Sequence, residues 1–401
     1  MGRVIFTQAN LVDGEHPARA GSTVVVEGER ITTAGNGGGP APTPEDRVID
    51  LAGKTLMPGM FSCHFHAAYE NVGTNALPLG MDKLATYLAL RAARNLSTAF
   101  DIDSSLKKAL DDGLIQGPRF MPSSRDIITT GDSNDRSYWL HFGPEAEGAV
   151  LVCDGPDEFR KAVRGEIHRG AEMIKLYPTG GHGVRLPRDT MTLSKAELDA
   201  AVDAAHERGA KVRGHIAGKR VIMECVDSGV DLTDHADRMD AECIDAILKA
   251  GAFVLPSLLF PIAFLEAAEG RGEGHLPHWQ AMRRDLENTA SMLPEANAAG
   301  VKIVVGDDFG TFATPHGDYA KEMEVYVRWA GISPLEVITW ATKNGAELME
   351  MGDQLGTVET GKLADLLVVD GDPTVDITVL QDTDNLLAIM KGGELVKDKL
   401  A

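Results

Sequence analysis

Two periodicities divide the chain. Residues 3–55 alternate apolar and polar positions in short runs, RVIFTQANLVDG, STVVVEGERITTAG and RVIDLAGKTLMPG, separated by Gly- and Asp-rich turns. That alternation predicts half-buried strands. The same style returns after Gln354, in LADLLVVDGDP and NLLAIMKGGELVKD. The two terminal segments can pair into one sheet, so residues 1–55 and 354–401 are expected to form one small β-domain. GGGPAPTPED, at 37–46, reads as an exposed loop rather than a linker.

Residues 56–353 follow a different pattern, with apolar strand-like runs alternating with amphipathic helical ones. The expected strands are MFSCHFH, PRFMPSSR, MIKLYP, KVRGHIA, LTDHAD, FVLPSLL and KIVVGDD. Helices are plainest in SKAELDAAVDAAHERGA, AECIDAILKAGA and SPLEVITWATKNGAELMEM. This repetition belongs to a parallel sheet with helical crossovers and favours a closed (β/α) barrel over an open doubly wound sheet. Seven strands are counted where the barrel needs eight. The stretch DIDSSLKKALDDGLIQG, where another would fall, reads as one helix; either a strand is hidden in irregular sequence or a segment is absent.

Composition narrows the function. Thirty-nine Lys and Arg against 60 Asp and Glu give a net charge of -21, a field that repels phosphate backbones and anionic lipid. Neither nucleic acid nor a membrane is an expected partner, and no apolar run reaches the ~18 residues of a spanning helix. Cys63, Cys153, Cys225 and Cys243 are far apart and form no CxxC, which suits a reducing compartment. The N-terminal MGRVIFTQANLVDGEH alternates like a strand and lacks the basic start and long apolar run of a signal peptide. A cytoplasmic enzyme acting on a small molecule is the expectation. No dinucleotide fingerprint or P-loop appears, and TGGHG at 179–183 lacks the Lys-Ser/Thr ending of a phosphate cradle.

The chemistry-bearing residues fall at the ends of the expected strands. His64 and His66 share a face at the end of MFSCHFH, because side chains alternate with a period of two. Lys175 closes MIKLYP, His215 closes KVRGHIA, His235 closes LTDHAD, and Asp307 and Asp308 close KIVVGDD. A lone strand-end histidine is commonly structural. Imidazoles and carboxylates converging from several strands at one rim instead suit a borderline metal such as zinc. Tyr69, Tyr177, His182 and Arg185 are candidates for holding substrate near that rim, with core packing for Tyr177 and a solvated loop for His182 and Arg185 as the plainer readings. DSNDRSYWLHFG, at 132–143, would cap the pocket.

The runs VIDLAGKTLMPGMFSCHFH, EMIKLYPTGG, KVRGHIAG, GVDLTDHAD, KIVVGDD, ATKNGAELM and LGTVETGKLADLLVVDGDP together resemble the amidohydrolase superfamily of metal-dependent hydrolases, in its imidazolonepropionase-like and prolidase-like branch. The resemblance implies a distorted (β/α)8 TIM-type barrel with a β-sandwich built from both termini. It implies two divalent metal ions, zinc being the expected one. His64 and His66 would hold one ion, and His215 and His235 the other. Lys175, carboxylated on its ε-amine, would bridge them. Asp308 would be both ligand and general base, the adjoining Asp307 standing where the family has threonine. His182 would polarise the substrate carbonyl. A homo-oligomer is implied as well. The expected reaction is hydrolysis of an amide-type C–N bond in a dipeptide, N-acyl amino acid, urea or carbamate. His215-Ile216-Ala217-Gly218 lacks the family's His or Tyr at Ala217, which tilts the expectation toward a non-peptide amide or urea. A one-metal cyclic amidase or deaminase is the runner-up, and a non-catalytic scaffold a third reading.

Overall fold

The computed structural model describes residues 2–66, 102–132, 135, 150–180, 182, 187–311 and 313–400. Tyr69 and Arg185 lie outside these residues, as does most of the 132–143 run. No helix among the described residues is long and apolar enough to cross a membrane.

The N-terminal alternation becomes five strands: β1 (Val4–Leu11), β2 (Arg19–Glu27), β3 (Arg30–Gly35), β4 (Arg47–Asp50) and β5 (Thr55–Pro58). Among the described residues, seven strands follow in the middle of the chain. They are β6 (Ser123–Ile128), β7 (Val150–Val152), β8 (Met173–Leu176), β9 (Lys211–Ile216), β10 (Leu232–His235), β11 (Phe253–Leu255) and β12 (Lys302–Ile303). The C-terminus adds β13 (Leu366–Val369), β14 (Leu386–Lys391) and β15 (Glu394–Asp398).

The two termini share one sheet, as their common pattern predicts. β5 pairs antiparallel with β13, and the order runs β15-β14-β13-β5-β1-β2-β3 with β4 beside β1. One buried face of it gathers Phe6, Leu11, Val24, Val26, Ile31, Leu56, Leu366 and Val368 into a single apolar cluster. This sheet and the helices Tyr319–Ala330, Pro334–Thr339 and Gly345–Leu348 make up one compact unit, and residues 64–303 with 307–316 make up a second.

In the second unit β6 to β12 form one all-parallel sheet in the order β12-β11-β10-β9-β8-β6-β7. Its central strands are buried on both faces although they carry charged and polar residues as well as apolar ones. The helix Lys195–His206 starts at a capping box in which Ser194 and Glu197 exchange hydrogen bonds. The helix Ala241–Ala250 starts on the Asp240 side chain and stops at Gly251, whose left-handed φ of 70° ends the turn. The stretch 102–111 is helical, as its pattern predicts.

The sequence expectation differs at three strands. PRFMPSSR holds only the start of β6, because Pro122 has no N–H for a ladder and the strand begins at the next residue. β7 is too short for its three residues to show a period. Within MFSCHFH, only Phe65 forms a bridge, parallel to Phe309, flanked by bonds from the Asp307 N–H to the His64 carbonyl and from the His66 N–H to the Phe309 carbonyl. The Phe65 ring also meets Phe120, just ahead of β6, at 5.6 Å.

Candidate active site

Register between β8, β9 and β10 sets the charges side by side. Lys175 lies opposite Arg213, and His215 opposite Asp234. Arg213 and His215 are two apart in β9 and face the same way. All four are buried. Asp234 accepts from Arg213 through both oxygens, at 3.0 and 2.7 Å, and also from the Lys175 ammonium. Burial would raise the Asp234 pKa, but the two cations hold it well below the usual carboxylate range. Neither Arg213 nor Asp234 is anticipated from the sequence; the period of two toward His215 in KVRGH was the available signal for Arg213.

His235 follows Asp234 and would face away from it in a continuing strand. Its backbone instead turns left-handed, with φ 76°, followed by Ala236 at 50°. The ring thereby meets its neighbour, His235 Nε2 lying 3.0 Å from His215 Nδ1. Such conformations cost about 1–3 kcal/mol each and persist where surrounding structure enforces them.

His64 and His66 converge on one atom. Their Nε2 atoms lie 3.1 and 3.2 Å from Asp308 Oδ1. Asp307 turns elsewhere, accepting from the backbone N–H groups of Phe260 at 2.9 Å and Asp308 at 2.7 Å. Of the two acids, Asp308 therefore meets the histidines. Burial and the Asp308 charge push the Asp307 carboxyl up to about 7. Asp308 is partly buried, yet His64 and His66 hold it well below its ordinary value.

Lys175 and Tyr177, two apart, pack together. The Lys175 ammonium lies 5.1 Å from the Tyr177 ring centre, and that ring stacks on His215 at 4.8 Å. His182, read from the sequence either as a carbonyl contact or as a solvated loop residue, is buried. Its Nδ1 bonds Asp237 at 3.0 Å, its ring stacks on His235 at 3.7 Å, and its φ is 42°. Burial would lower the His182 pKa, but Asp237 raises it overall. A small cavity beside it is lined by Arg188, Asp237, Leu258, Met282 and Asp285. Ala217 is fully buried, and Gly218 must be glycine, since a Cβ there would stand 2.2 Å from the Arg188 carbonyl oxygen.

Two groups of donors can hold metal: His64 with His66 and Asp308, and His182 with His235 and Asp308, the donor atoms of each lying within 4.8 Å of one another. Their chemistry fits. Burial, with Arg213 outweighing Asp308, lowers the His64 pKa to about 4, and burial beside His182 and His215 drives that of His235 well below normal. Both are neutral at pH 7, the state a metal needs. Among the described residues, His182 Nε2 and His235 Nδ1 are buried with no hydrogen-bond partner, each at an expected cost of about 1–3 kcal/mol that a bound ion would remove.

The relatives agree with this chemistry. Ochratoxinase of Aspergillus niger is 27% identical over 371 residues, spanning 85% of this chain and 75% of that protein. Imidazolonepropionase of Aeromonas hydrophila is 22% identical over 378 residues, spanning 86% and 84%. A solved prolidase complexed with N-methylphosphonate-L-proline superposes with a TM-score of 0.81 at 29% identity, over 99% of this chain and all of that one. Such relatives make the protein a hydrolase of C–N bonds. The amidohydrolase family profile matches residues 55–396, and the chain belongs to that family.

Proposed function

We propose that the protein is a binuclear metal-dependent hydrolase of an amide-type C–N bond in a small molecule. The observation that carries this is Asp308 Oδ1 standing between the Nε2 atoms of His64 and His66. These three residues would hold one ion. His215 and His235, whose ring nitrogens meet at 3.0 Å, would hold the other, and Lys175, carboxylated, would be a ligand common to both. Zinc suits this set of imidazoles and carboxylates. Divalent ions held there supply Lewis acidity and make water nucleophilic near neutral pH.

The chain's own groups do the rest. Asp308, kept ionised by its histidines, takes a proton from the attacking water and returns it to the leaving nitrogen. Arg213, forked onto Asp234, holds that carboxylate beside Lys175. Tyr177 fixes the His215 ring by stacking. Tyr69 and Arg185 are the expected substrate contacts. Ala217 has no hydrogen bond to offer, which favours a non-peptide amide, urea or carbamate over a dipeptide or N-acyl amino acid.

The same reading makes the parallel sheet part of a distorted (β/α)8 barrel and the terminal sheet its β-sandwich. The prolidase superposition and the Phe65–Phe120 contact support it. A cytoplasmic homo-oligomer completes the reading, on sequence grounds. A one-ion cyclic amidase or deaminase is the second reading, favoured by the Lys175 ammonium already donating to Asp234. The test is a panel of aryl ureas, carbamates, N-acyl amino acids and dipeptides, assayed for amine release before chelation, after it, and after zinc is restored. Zinc-dependent release supports the hydrolase; release of ammonia from ring amines alone supports the deaminase.

A further inference from the structure

His182 carries two local costs and no structural return for them. Its left-handed backbone is one, at about 1–3 kcal/mol. Its buried Nε2, without a hydrogen-bond partner among the described residues, is the other. The ring is nevertheless fixed in place: Asp237 accepts from Nδ1 at 3.0 Å, His235 stacks on one face at 3.7 Å, and Phe260 lies 5.6 Å away. A carboxylate on one imidazole nitrogen, with the other nitrogen aimed into a buried polar cluster, is the arrangement that orients a metal-ligating histidine. Because Nδ1 is taken by Asp237, Nε2 is the nitrogen left to face the donors of His235 and Asp308, within 4.8 Å.

We infer that His182 is a further ligand of the second ion, beside His215 and His235, and that Asp237 is its positioning residue. Asp308 is the residue that the two donor groups share. This gives His182 a different part from the carbonyl contact expected from its sequence position. The inference rests on the two-ion reading above and deepens it.

The test is cobalt(II) binding to the full chain stripped of metal, followed by elemental analysis and visible absorption. Wild type should take up two cobalt ions per chain. His182→Ala should keep the first and bind the second at least ~100-fold more weakly, with a changed absorption band, while Asp237→Asn should weaken the second by about 10-fold, the lower end for loss of an orienting partner. His64→Ala is the contrast, since it should weaken the other ion. If His182→Ala does not fold, Asp237→Asn, which leaves the ring in place, reads the same equilibrium. Two ions bound by both variants with wild-type affinity and spectrum would overturn the assignment and leave the binuclear reading intact. A wild type that takes up one ion or none would overturn both.

Discussion

Inside the terminal sheet, Phe6, Leu56 and Val368 are each no more than 1% exposed and belong to one cluster of buried apolar residues. At the ends of β8, β9 and β10, Lys175, Arg213, His215, Asp234 and His235 are buried almost as deeply and are all polar. In the first region each buried methylene adds to stability, and one residue can be exchanged for another of similar volume. In the second, each buried group is tolerable only because of its neighbour: Asp234 needs Arg213 and Lys175, and Asp308 needs His64 and His66. A network of that kind is weak evidence for stability and strong evidence for a site where charge is used.

Four substitutions sharpen this contrast. Asp308→Ala should reduce hydrolysis by about 10²–10⁴-fold while the melting temperature moves little, measured as kcat/KM alongside a thermal melt; loss of both together would make Asp308 a structural residue. Asp234→Ala leaves Arg213 as a buried cation without the carboxylate it is forked onto and should cost about 3–5 kcal/mol in urea unfolding. Leu56→Ala should cost about 2–5 kcal/mol, yet metal content and activity per folded molecule should stay at the wild-type level. A drop in either would erase the division between the two regions.

The smallest effect concerns pH. Burial and the Asp237 charge raise Asp285 from 3.8 to about 6, against the pull of Arg188 and Arg238, both of which reach its carboxylate. A raised folded pKa means that the folded state holds the proton more tightly. The stabilisation is therefore complete below pH 3.8 and is lost as pH rises through 6. Asp285→Asn should flatten that slope, by up to about 3 kcal/mol at 1.36 kcal/mol per pKa unit. Urea unfolding of both proteins at several pH values reads it, and parallel curves would contradict it.

The two regions also differed in how far the sequence disclosed them. Alternation in RVIFTQANLVDG depends only on the strand's own buried face, so β1 could be read directly, and the apolar run LLVV marked β13, buried at every position. His64 and His66 were visible from their HxH spacing, and His215 from its place at the end of KVRGHIA. Asp234 was not, because its partners lie on other strands and inter-strand register is absent from any local pattern. His235 was expected at the rim, but the backbone reversal that brings its ring to His215 has no local signal, glycine being absent there. His182 looked like a loop residue because its burial comes from His235, Asp237 and Phe260, all more than 50 positions away in the chain.

The measurement closest to the central claim is metal content per chain by elemental analysis, on protein expressed with bicarbonate and zinc, for wild type and Lys175→Ala. The binuclear account predicts close to two ions for wild type and a clear loss in the variant. One ion or none, unchanged by the substitution, would contradict it and bring the one-ion deaminase or cyclic amidase to the front.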